Sequence, residues 1–270
     1  MPVKSKKKRI TGEERRSAIA NLLDTCGGAI YGFALRLCSD PDLAEDLVQE
    51  SFFQGYRKWS KLRDETNPSR WLHAIVVRSY LRREGTQSGV ANTLRPQRDL
   101  LTFGDDEGGP PSTGNGSINK AAFRKKALKA LGKAVRELPH ELRIPLLLRD
   151  VTGYSLAEVS TMLGIKESSV RTRLHRARNL IFWSVADTLP QKKTPPTRHA
   201  RREWKDLLRA KHDSLDKDRA FSFAKGESCA RCQGVFDAMD YVHELCRDFV
   251  SDKLPATTGQ AVLLDLAGDI

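Results

Sequence analysis

The 270-residue sequence has no uninterrupted apolar run of the roughly 18 residues that a membrane-spanning helix needs. Its N-terminal stretch, MPVKSKKKRITGEERR, is basic, but no apolar run follows it, which argues against a secretory signal. Cysteine is scarce: five residues, an odd number, give no disulfide framework and are typical of a reducing compartment. We therefore expect a cytoplasmic protein without membrane insertion.

Positive charge is what the chain has in excess. The formal net charge is +12, which fits a polyanionic partner, either nucleic acid or an anionic membrane surface. The length is sufficient for two or three small domains rather than one large core.

Helical periodicity in two separated stretches predicts an all-α protein with two small helical domains. Residues 1–14 are predicted to be a flexible basic tail, 15–85 the first domain and 120–189 the second, helix-turn-helix domain. Residues 86–119, with GDDEGGPPSTGNGS at their centre, indicate a flexible linker because no buried face can be drawn through them. Residues 190–270 form a C-terminal extension of uncertain fold. Two binding units on one linker can span two sites of a long partner.

The stretch SLAEVSTMLGIKESSVRTRLHRAR predicts two helices around a tight turn. Ser155 and Glu158 have capping-box spacing, Gly164 is placed as a helix terminator, and a second helix begins at about Glu167 with Val170 facing inward. Its other faces carry Arg171, Thr172, Arg173, His175, Arg176 and Arg178. This is the pattern of a helix-turn-helix, whose second helix enters the DNA major groove. An ordinary helical hairpin with a solvated basic face is the alternative.

Acidic residues concentrate in DPDLAEDLVQE, the stretch from Asp40 to Glu50 of a basic chain. Asp40 followed by Pro41 predicts a helix start. Asp42 and Asp46, and Asp46 and Glu50, are four residues apart, so like charges stack at some cost in helix stability. Such stacking indicates a basic partner. A solvated face whose early acids interact favourably with the helix dipole explains it equally well.

Aromatic residues alternate with cations after this helix and at the start of the next. Rings to stack on and charges for the backbone are what a surface needs to hold unstacked bases. The set is Tyr56, Arg57, Lys58, Trp59, Lys61, Arg70 and Trp71. The alternative is that Trp59 and Trp71 are core residues, and both descriptions can hold in part.

The C-terminal extension contains a C-x-x-C pair, Cys229 and Cys232, followed by His243 and Cys246 in a predicted helix. Two cysteines plus two ligands one helical turn apart can form a tetrahedral zinc site. Reduced, buried cysteines in a small helical extension are the alternative. The carboxylates of this segment are scattered and offer no general base for a metal enzyme.

Two of these regions resemble a known family. The stretches Asp42–Leu62 and Arg70–Glu84 resemble region two of bacterial RNA polymerase sigma factors of the sigma-70 superfamily, in the extracytoplasmic-function (ECF) group. Leu138–Arg178 resembles region four of the same family, and the order of the two regions and the linker between them also match.

The resemblance implies a promoter-recognition subunit that is not an enzyme, requires no cofactor and binds core RNA polymerase and promoter DNA. The acidic helix would dock on the polymerase through Asp42, Glu45, Asp46, Gln49 and Glu50. Region two would open and read the downstream promoter element with Lys58, Trp59, Lys61, Arg70 and Trp71. Region four would read the upstream element with Ser168, Ser169, Arg171, Thr172, Arg173 and Arg176.

The alternative function is a free-standing helix-turn-helix regulator, which leaves the acidic helix unexplained. Some members of the family meet zinc-binding anti-sigma proteins or carry fused sensing extensions. An anti-sigma factor is therefore a further candidate partner, and a zinc-binding extension would be a regulatory module.

Overall fold

The computed structural model describes residues 11–59, 68–84, 120–186, 188–189, 199–224, 228–250 and 253–268. Helices are the only regular elements in those ranges, which confirms the all-α prediction. The chain forms two compact units: Met1–Gly89 with Ser251–Ile270, and Val90–Val250. The predicted linker, most of the basic tail, and Lys61 lie outside the described residues.

Ten α-helices lie in the described ranges. They are α1 (Gly12–Cys38), α2 (Pro41–Arg57), α3 (Pro68–Arg83), α4 (Lys120–Glu137), α5 (His140–Leu146), α6 (Leu156–Leu163), α7 (Glu167–Ala186), α8 (Arg201–Asp216), α9 (Ala230–Arg247) and α10 (Ala256–Gly268). A π-helical turn, Leu147–Val151, follows α5, and a 3-10 turn, Asp248–Val250, follows α9. The C-terminal extension thus contributes α8 and α9 to the second unit and α10 to the first.

In the first unit, α1, α2 and α3 pack on one another and α10 packs on α1 and α2. The Asp40 carboxylate accepts hydrogen bonds from the backbone N–H groups of Asp42 (2.9 Å) and Leu43 (3.2 Å), so α2 starts where the sequence predicts. A Cβ at Gly55 would lie 3.2 Å from Leu72, so glycine allows α3 to approach α2 closely. Fully buried side chains fill the core: Ile19, Ile30, Leu37, Leu47, Val48, Phe52, Leu72 and Val76.

Helix α1 is long and apolar enough, by length and composition, to cross a membrane, although the sequence has no uninterrupted apolar run of that length. Its most apolar stretch has a mean hydropathy of 1.3 and is 44% buried. Ile19, Ile30 and Leu37 have no exposed surface, because α1 packs against α2 and α3. Its packing is that of the central helix of a compact unit.

In the second unit, α7 packs against α4, α5, α6 and α9. The helix that begins at His140 changes character after Pro145: α5 ends at Leu146 and a π-helical turn follows. Proline removes one backbone donor and crowds the preceding turn, which explains why regular α-helix stops here. The rings of Trp204 in α8 and Phe236 in α9 are stacked with centroids 5.5 Å apart, and both are buried.

Candidate nucleic-acid and partner interfaces

The helix-turn-helix forms as the sequence predicts. The Ser155 backbone N–H donates to the Glu158 carboxylate (2.8 Å) and the Glu158 N–H to the Ser155 hydroxyl (3.3 Å), so the capping box is complete. Gly164 adopts a left-handed conformation (φ 65°) at the end of α6. The Ser160 hydroxyl donates to the Ile165 carbonyl across the turn (2.6 Å). Helix α6 is therefore anchored at both ends and braces α7.

One side of α7 is open to a partner. Ser168, Thr172 and Arg176 are exposed and four residues apart, so they form one stripe, which we call the open face of α7. Ser169 and Arg173 flank it and are half-buried. A stripe of hydroxyls and a guanidinium at the start of a recognition helix matches the groups that contact bases and phosphates.

The opposite side of α7 contacts α8, which was not predicted. Arg171 lies 3.3 Å from the Asp213 carboxylate, and the His175 ring stacks on the His212 ring with centroids 4.3 Å apart. Arg178, which the sequence pattern places among the presented cations, is instead buried. Arg171, His175 and Arg178 follow one another at helical spacing, so all three lie on the side that α8 covers.

Arg178 is the centre of a buried charge network. Its guanidinium donates two hydrogen bonds to Asp150 (2.8 and 2.7 Å) and one to Asp216 of α8 (2.6 Å). Burial alone would raise the pKa of Asp216, but hydrogen bonds and charge from His175 and Arg178 lower it to about 2. Burial opposes ionisation of Asp150 too, and Arg178 still lowers the pKa of that carboxyl. Both carboxylates are therefore ionised at neutral pH and serve as structural anchors.

A sequence signal for this network existed. Arg149 and Asp150 interrupt the apolar run LLLRDV, and charges in such a run need buried partners. The Arg149 guanidinium donates to the Asp216 carbonyl (2.9 Å) and to the Asp218 carboxylate (2.6 Å). These partners of Arg149 lie more than sixty residues away along the chain. The sequence therefore indicates that a buried partner is needed but does not identify it.

The acidic residues of α2 lie on one side of the first unit. We call Asp42, Glu45, Asp46, Gln49 and Glu50 the acidic face of α2. Asp42 and Asp46 are exposed, whereas the other three are half-buried. Arg83 of α3 pairs with Asp46 (3.0 Å) and with Glu50 (3.3 Å), which also contacts Arg82. The chain's own cations thus offset part of the stacked charge.

Helix α10 contacts the same face. The Thr258 hydroxyl donates to the Glu45 carboxylate (2.6 Å), and the Gln49 amide donates to the Asp265 carboxylate (2.6 Å). Thr258 is 3% exposed, so its hydrogen bond to Glu45 is buried between α10 and α2.

The aromatic and cationic set divides between core and surface. Lys58 is exposed, and Trp59, Arg70 and Trp71 are half-buried. Tyr56 is a core residue, 6% exposed, with the Arg15 guanidinium 5.5 Å from its ring centroid. The two tryptophans therefore keep accessible ring surface.

His73 is a buried residue of α3, although the sequence of this helix is rich in arginine. It is 6% exposed and meets the Phe33 ring edge-on, with centroids 4.7 Å apart. Burial disfavours the charged imidazolium and lowers the pKa of His73 to about 4.

The predicted zinc ligands are separated in the structure. Cys229 and Cys232 lie at the start of α9, whereas His243 is eleven residues further along, about 16 Å at the rise of an α-helix. The His243 ring nitrogen is 3.9 Å from the Asp150 carboxylate, and Cys246 lines a small cavity beside Asp150. The predicted site of Cys229, Cys232, His243 and Cys246 is therefore wrong in this structure, because a continuous helix cannot bring its first turn and its last turns to one metal ion.

A different residue joins the cysteine pair. Ligand atoms of His199, Cys229 and Cys232 all lie within 4.8 Å of one another. His199 was missed because it precedes α8 in a basic segment, thirty residues before Cys229. His175, Asp213 and Asp216 form a second such group, but the guanidinium groups of α7 already neutralise its carboxylates.

Comparison with known proteins follows the same division of the chain. Residues 22–86 match the family model described as Sigma-70 region 2, and residues 128–181 match Sigma-70, region 4. The chain is 28% identical over 155 residues to the RNA polymerase sigma-H factor of Pseudomonas aeruginosa, covering 56% of this chain and 78% of that protein. It is 30% identical over 135 residues to the ECF RNA polymerase sigma factor SigM of Mycobacterium tuberculosis, covering 50% and 60%.

Among solved structures, the sigma factor RpoE in complex with the anti-sigma factor NepR from Bartonella quintana matches with a TM-score of 0.42 and 22% identity. This match covers 63% of this chain and 97% of that chain.

Proposed function

The chain belongs to the sigma-70 family, in its extracytoplasmic-function group, and we propose that it is the promoter-recognition subunit of a bacterial RNA polymerase. The observation that carries the proposal is that the second unit has a helix-turn-helix with an open polar and cationic face, while the first unit carries the acidic face of α2. A sigma factor needs both, because it must hold the enzyme and read DNA at the same time.

The acidic face of α2 is proposed to bind a basic surface of core polymerase. Asp42 and Asp46 are its exposed charges and would make the first contact. Complementary charge raises the rate of encounter and fixes the orientation of docking more than it raises affinity. Arg82 and Arg83 would then exchange their carboxylate partners for cations of the polymerase.

The open face of α7 is proposed to enter the major groove of the upstream promoter element. Arg176 would bind guanine or phosphate, Ser168 and Thr172 would approach base edges or the backbone, and Ser169 and Arg173 would support them from the flank. Arg171 would contribute less than the sequence predicts, because α8 holds it.

The half-buried tryptophans of the first unit are proposed to contact the downstream element. Partly exposed rings of Trp59 and Trp71 can stack on bases that leave the duplex, and Lys58, Lys61 and Arg70 can bind the strand backbone. Stacking must offset the few kcal/mol that unpairing a base costs.

We also infer a cytoplasmic, non-catalytic role. Five cysteines, an odd number, give no disulfide framework, which fits a reducing compartment, and initiation by a sigma factor relies on the polymerase for chemistry.

Reconstitution with core RNA polymerase tests the proposal. The purified chain should bind core enzyme and redirect initiation to a defined set of promoters. Asp46→Lys should weaken core binding, whereas Asp24→Lys, the same charge change at an exposed residue of α1, should not. DNA affinity of the holoenzyme should fall steeply as salt rises. DNA binding without any association with core enzyme would instead indicate a free-standing regulator.

A further inference from the structure

We propose that His199, Cys229 and Cys232 bind a zinc ion that ties the start of α8 to the start of α9. Imidazole and thiolate are the ligands that zinc prefers, and the three candidate atoms already lie within 4.8 Å of one another. Tetrahedral zinc holds such ligands about 3.5 Å apart, so closing the site needs only side-chain rotation.

Cys229 and Cys232 are arranged like the cysteine pair of a zinc knuckle, in a turn at the start of α9. Cys229 is the N-cap of α9, and its sulfur accepts a hydrogen bond from the Cys232 backbone N–H (3.3 Å). A thiolate at this position is stabilised by the helix N-terminus as well as by the metal. Cys232 is fully buried and Cys229 half-buried, so the site has a dry side and an open side through which an ion can enter.

The histidine has a carboxylate neighbour that can orient it. An oxygen of Glu203 lies 3.5 Å from Nδ1 of His199 and also accepts from the Ala200 N–H (3.1 Å). Metal-binding histidines commonly give their second nitrogen to a carboxylate, which fixes the ring. In this arrangement Nε2 of His199 binds the ion, and a fourth position remains for water or another ligand.

The core beneath the site brings its two halves together without a metal. Trp204 lies in the first turn of α8 and Phe236 in the second turn of α9, and their rings are stacked. His199 and Cys232 extend from the same ends of those helices, so their proximity follows from packing that is independent of the cluster itself. The metal would then lock an arrangement that is already favoured.

Metal content of the full-length chain tests the site. After expression with zinc and gel filtration, elemental analysis should find about one zinc per chain. His199→Gln, Cys229→Ser and Cys232→Ser should each lower affinity at least tenfold in a chelator competition, and Glu203→Gln about tenfold. Cys26→Ser and His243→Gln are the matched controls and should bind as the native chain does. Cobalt loading should add a thiolate-to-metal absorption band that Cys229→Ser removes.

Two results would overturn the proposal. One is a native chain that takes up neither zinc nor cobalt. The other is a His199→Gln variant that binds normally while His243→Gln does not, which would restore the ligand set that the sequence suggested. His199 lies outside the helices, so circular dichroism of His199→Gln should be unchanged, and a loss of metal there reports the ligand rather than the fold.

We also infer that α10 competes with core polymerase for the acidic face of α2. The inference rests on the proposed role of the acidic face of α2. Two residues of that face, Glu45 and Gln49, are hydrogen-bonded to α10. A partner that needs those two side chains must first displace the helix.

The contact is built to be displaced by a basic partner. Val262 and Leu266 anchor α10 by burial (2% and 3% exposed), so the attachment is mainly apolar. It leaves Asp42 and Asp46 exposed, and a cationic surface can bind these before α10 leaves. The apparent affinity for such a partner is therefore the intrinsic affinity multiplied by the fraction of chains in which α10 is released.

Affinity for core polymerase measures the competition. A chain that ends before Pro255, and the variant Leu266→Asp, should bind core enzyme about tenfold more tightly than the full chain. Leu263→Asp, the same change at an exposed position of α10, should have less than a twofold effect. Equal or weaker binding after removal of α10 would overturn the inference and leave the proposed function intact. Failure of every variant to bind would overturn the proposed function as well.

Discussion

The cores of the two units are built from different chemistry. Among the described residues, the polar side chains buried in the first unit are all neutral or weakly basic: Ser51, His73, Ser79 and Thr258. The second unit buries full charges: Arg149, Asp150, Arg178, Lys211, Asp216 and Arg231. A buried ion pair adds little stability over an apolar pair, but breaking it is costly, so it specifies one arrangement.

The buried charges of the second unit connect particular segments. Arg178 joins α7 to Asp216 of α8, and Lys211 of α8 joins Asp240 of α9 (2.5 Å). In the first unit, the described part of the core between α1, α2 and α3 buries no charged side chain, and the ion pairs between α2 and α3 are partly exposed. The buried charges therefore hold α8 and α9 in one arrangement against the helix-turn-helix, and this arrangement decides which side of α7 stays open.

Removing Arg178 should give the largest effect. Arg178→Ala leaves Asp150 and Asp216 buried without their cation and should destabilise the second unit by about 3–5 kcal/mol. Hydrogen exchange should speed up in α7 and α8 and stay unchanged in α1–α3. Arg176→Ala, the same change at an exposed position of α7, should alter stability by no more than about 0.5 kcal/mol. Similar losses in both variants would mean that the network is not a structural anchor.

For DNA affinity, a substitution on the open face of α7 should have a larger effect than one on the side that α8 covers. Arg176→Ala should weaken binding to the upstream element by roughly 1–3 kcal/mol if its guanidinium contacts guanine. Arg171→Ala should have a smaller effect, because Arg171 is paired with Asp213. Binding constants of the holoenzyme on promoter fragments measure both. An equal loss for Arg171→Ala would show that α8 moves away when DNA binds.

Lowering the pH should destabilise the first unit, because His73 is protonated more readily in the unfolded chain than in the folded one. Its folded-state pKa is lowered from 6.5 to about 4, so between those pH values the unfolded chain binds a proton that the folded chain does not. Stability is therefore lost as pH falls, by about 2 kcal/mol between pH 7 and pH 5. Hydrogen exchange of α3, corrected for intrinsic rates, measures the change. His73→Phe should abolish it; persistence of the full pH effect in that variant would assign it elsewhere.

Features set by neighbouring residues were predictable from sequence. The start of α2 at Asp40, the capping box at Ser155 and the terminator at Gly164 each depend on a few adjacent backbone groups. The helix-turn-helix and the all-α fold follow from such signals together with apolar periodicity.

Features set by distant partners were not predictable in the same way. Helical periodicity places Arg171 and Arg176 on different sides of α7, but only α8 decides which side is covered. Ligand spacing suggested His243 and Cys246, yet the length of α9 carries them away from Cys229, and His199 comes from before α8. Buried His73 on a helix rich in arginine gives no local signal either.

The capping boxes of α1 and α6 give the smallest effect and separate local from tertiary contributions. Thr11 with Glu14 starts α1 in the first unit, and Ser155 with Glu158 starts α6 in the second, with the same pairs of hydrogen bonds. Thr11→Ala and Ser155→Ala should each cost about 1 kcal/mol, because each leaves an amide donor of the first turn without its side-chain acceptor. Chemical denaturation followed by hydrogen exchange in each unit measures both. If Ser155→Ala cost several times more than Thr11→Ala, helix initiation in the second unit would depend on the buried charges around Asp150, and the contrast between the two cores would extend to the helix ends.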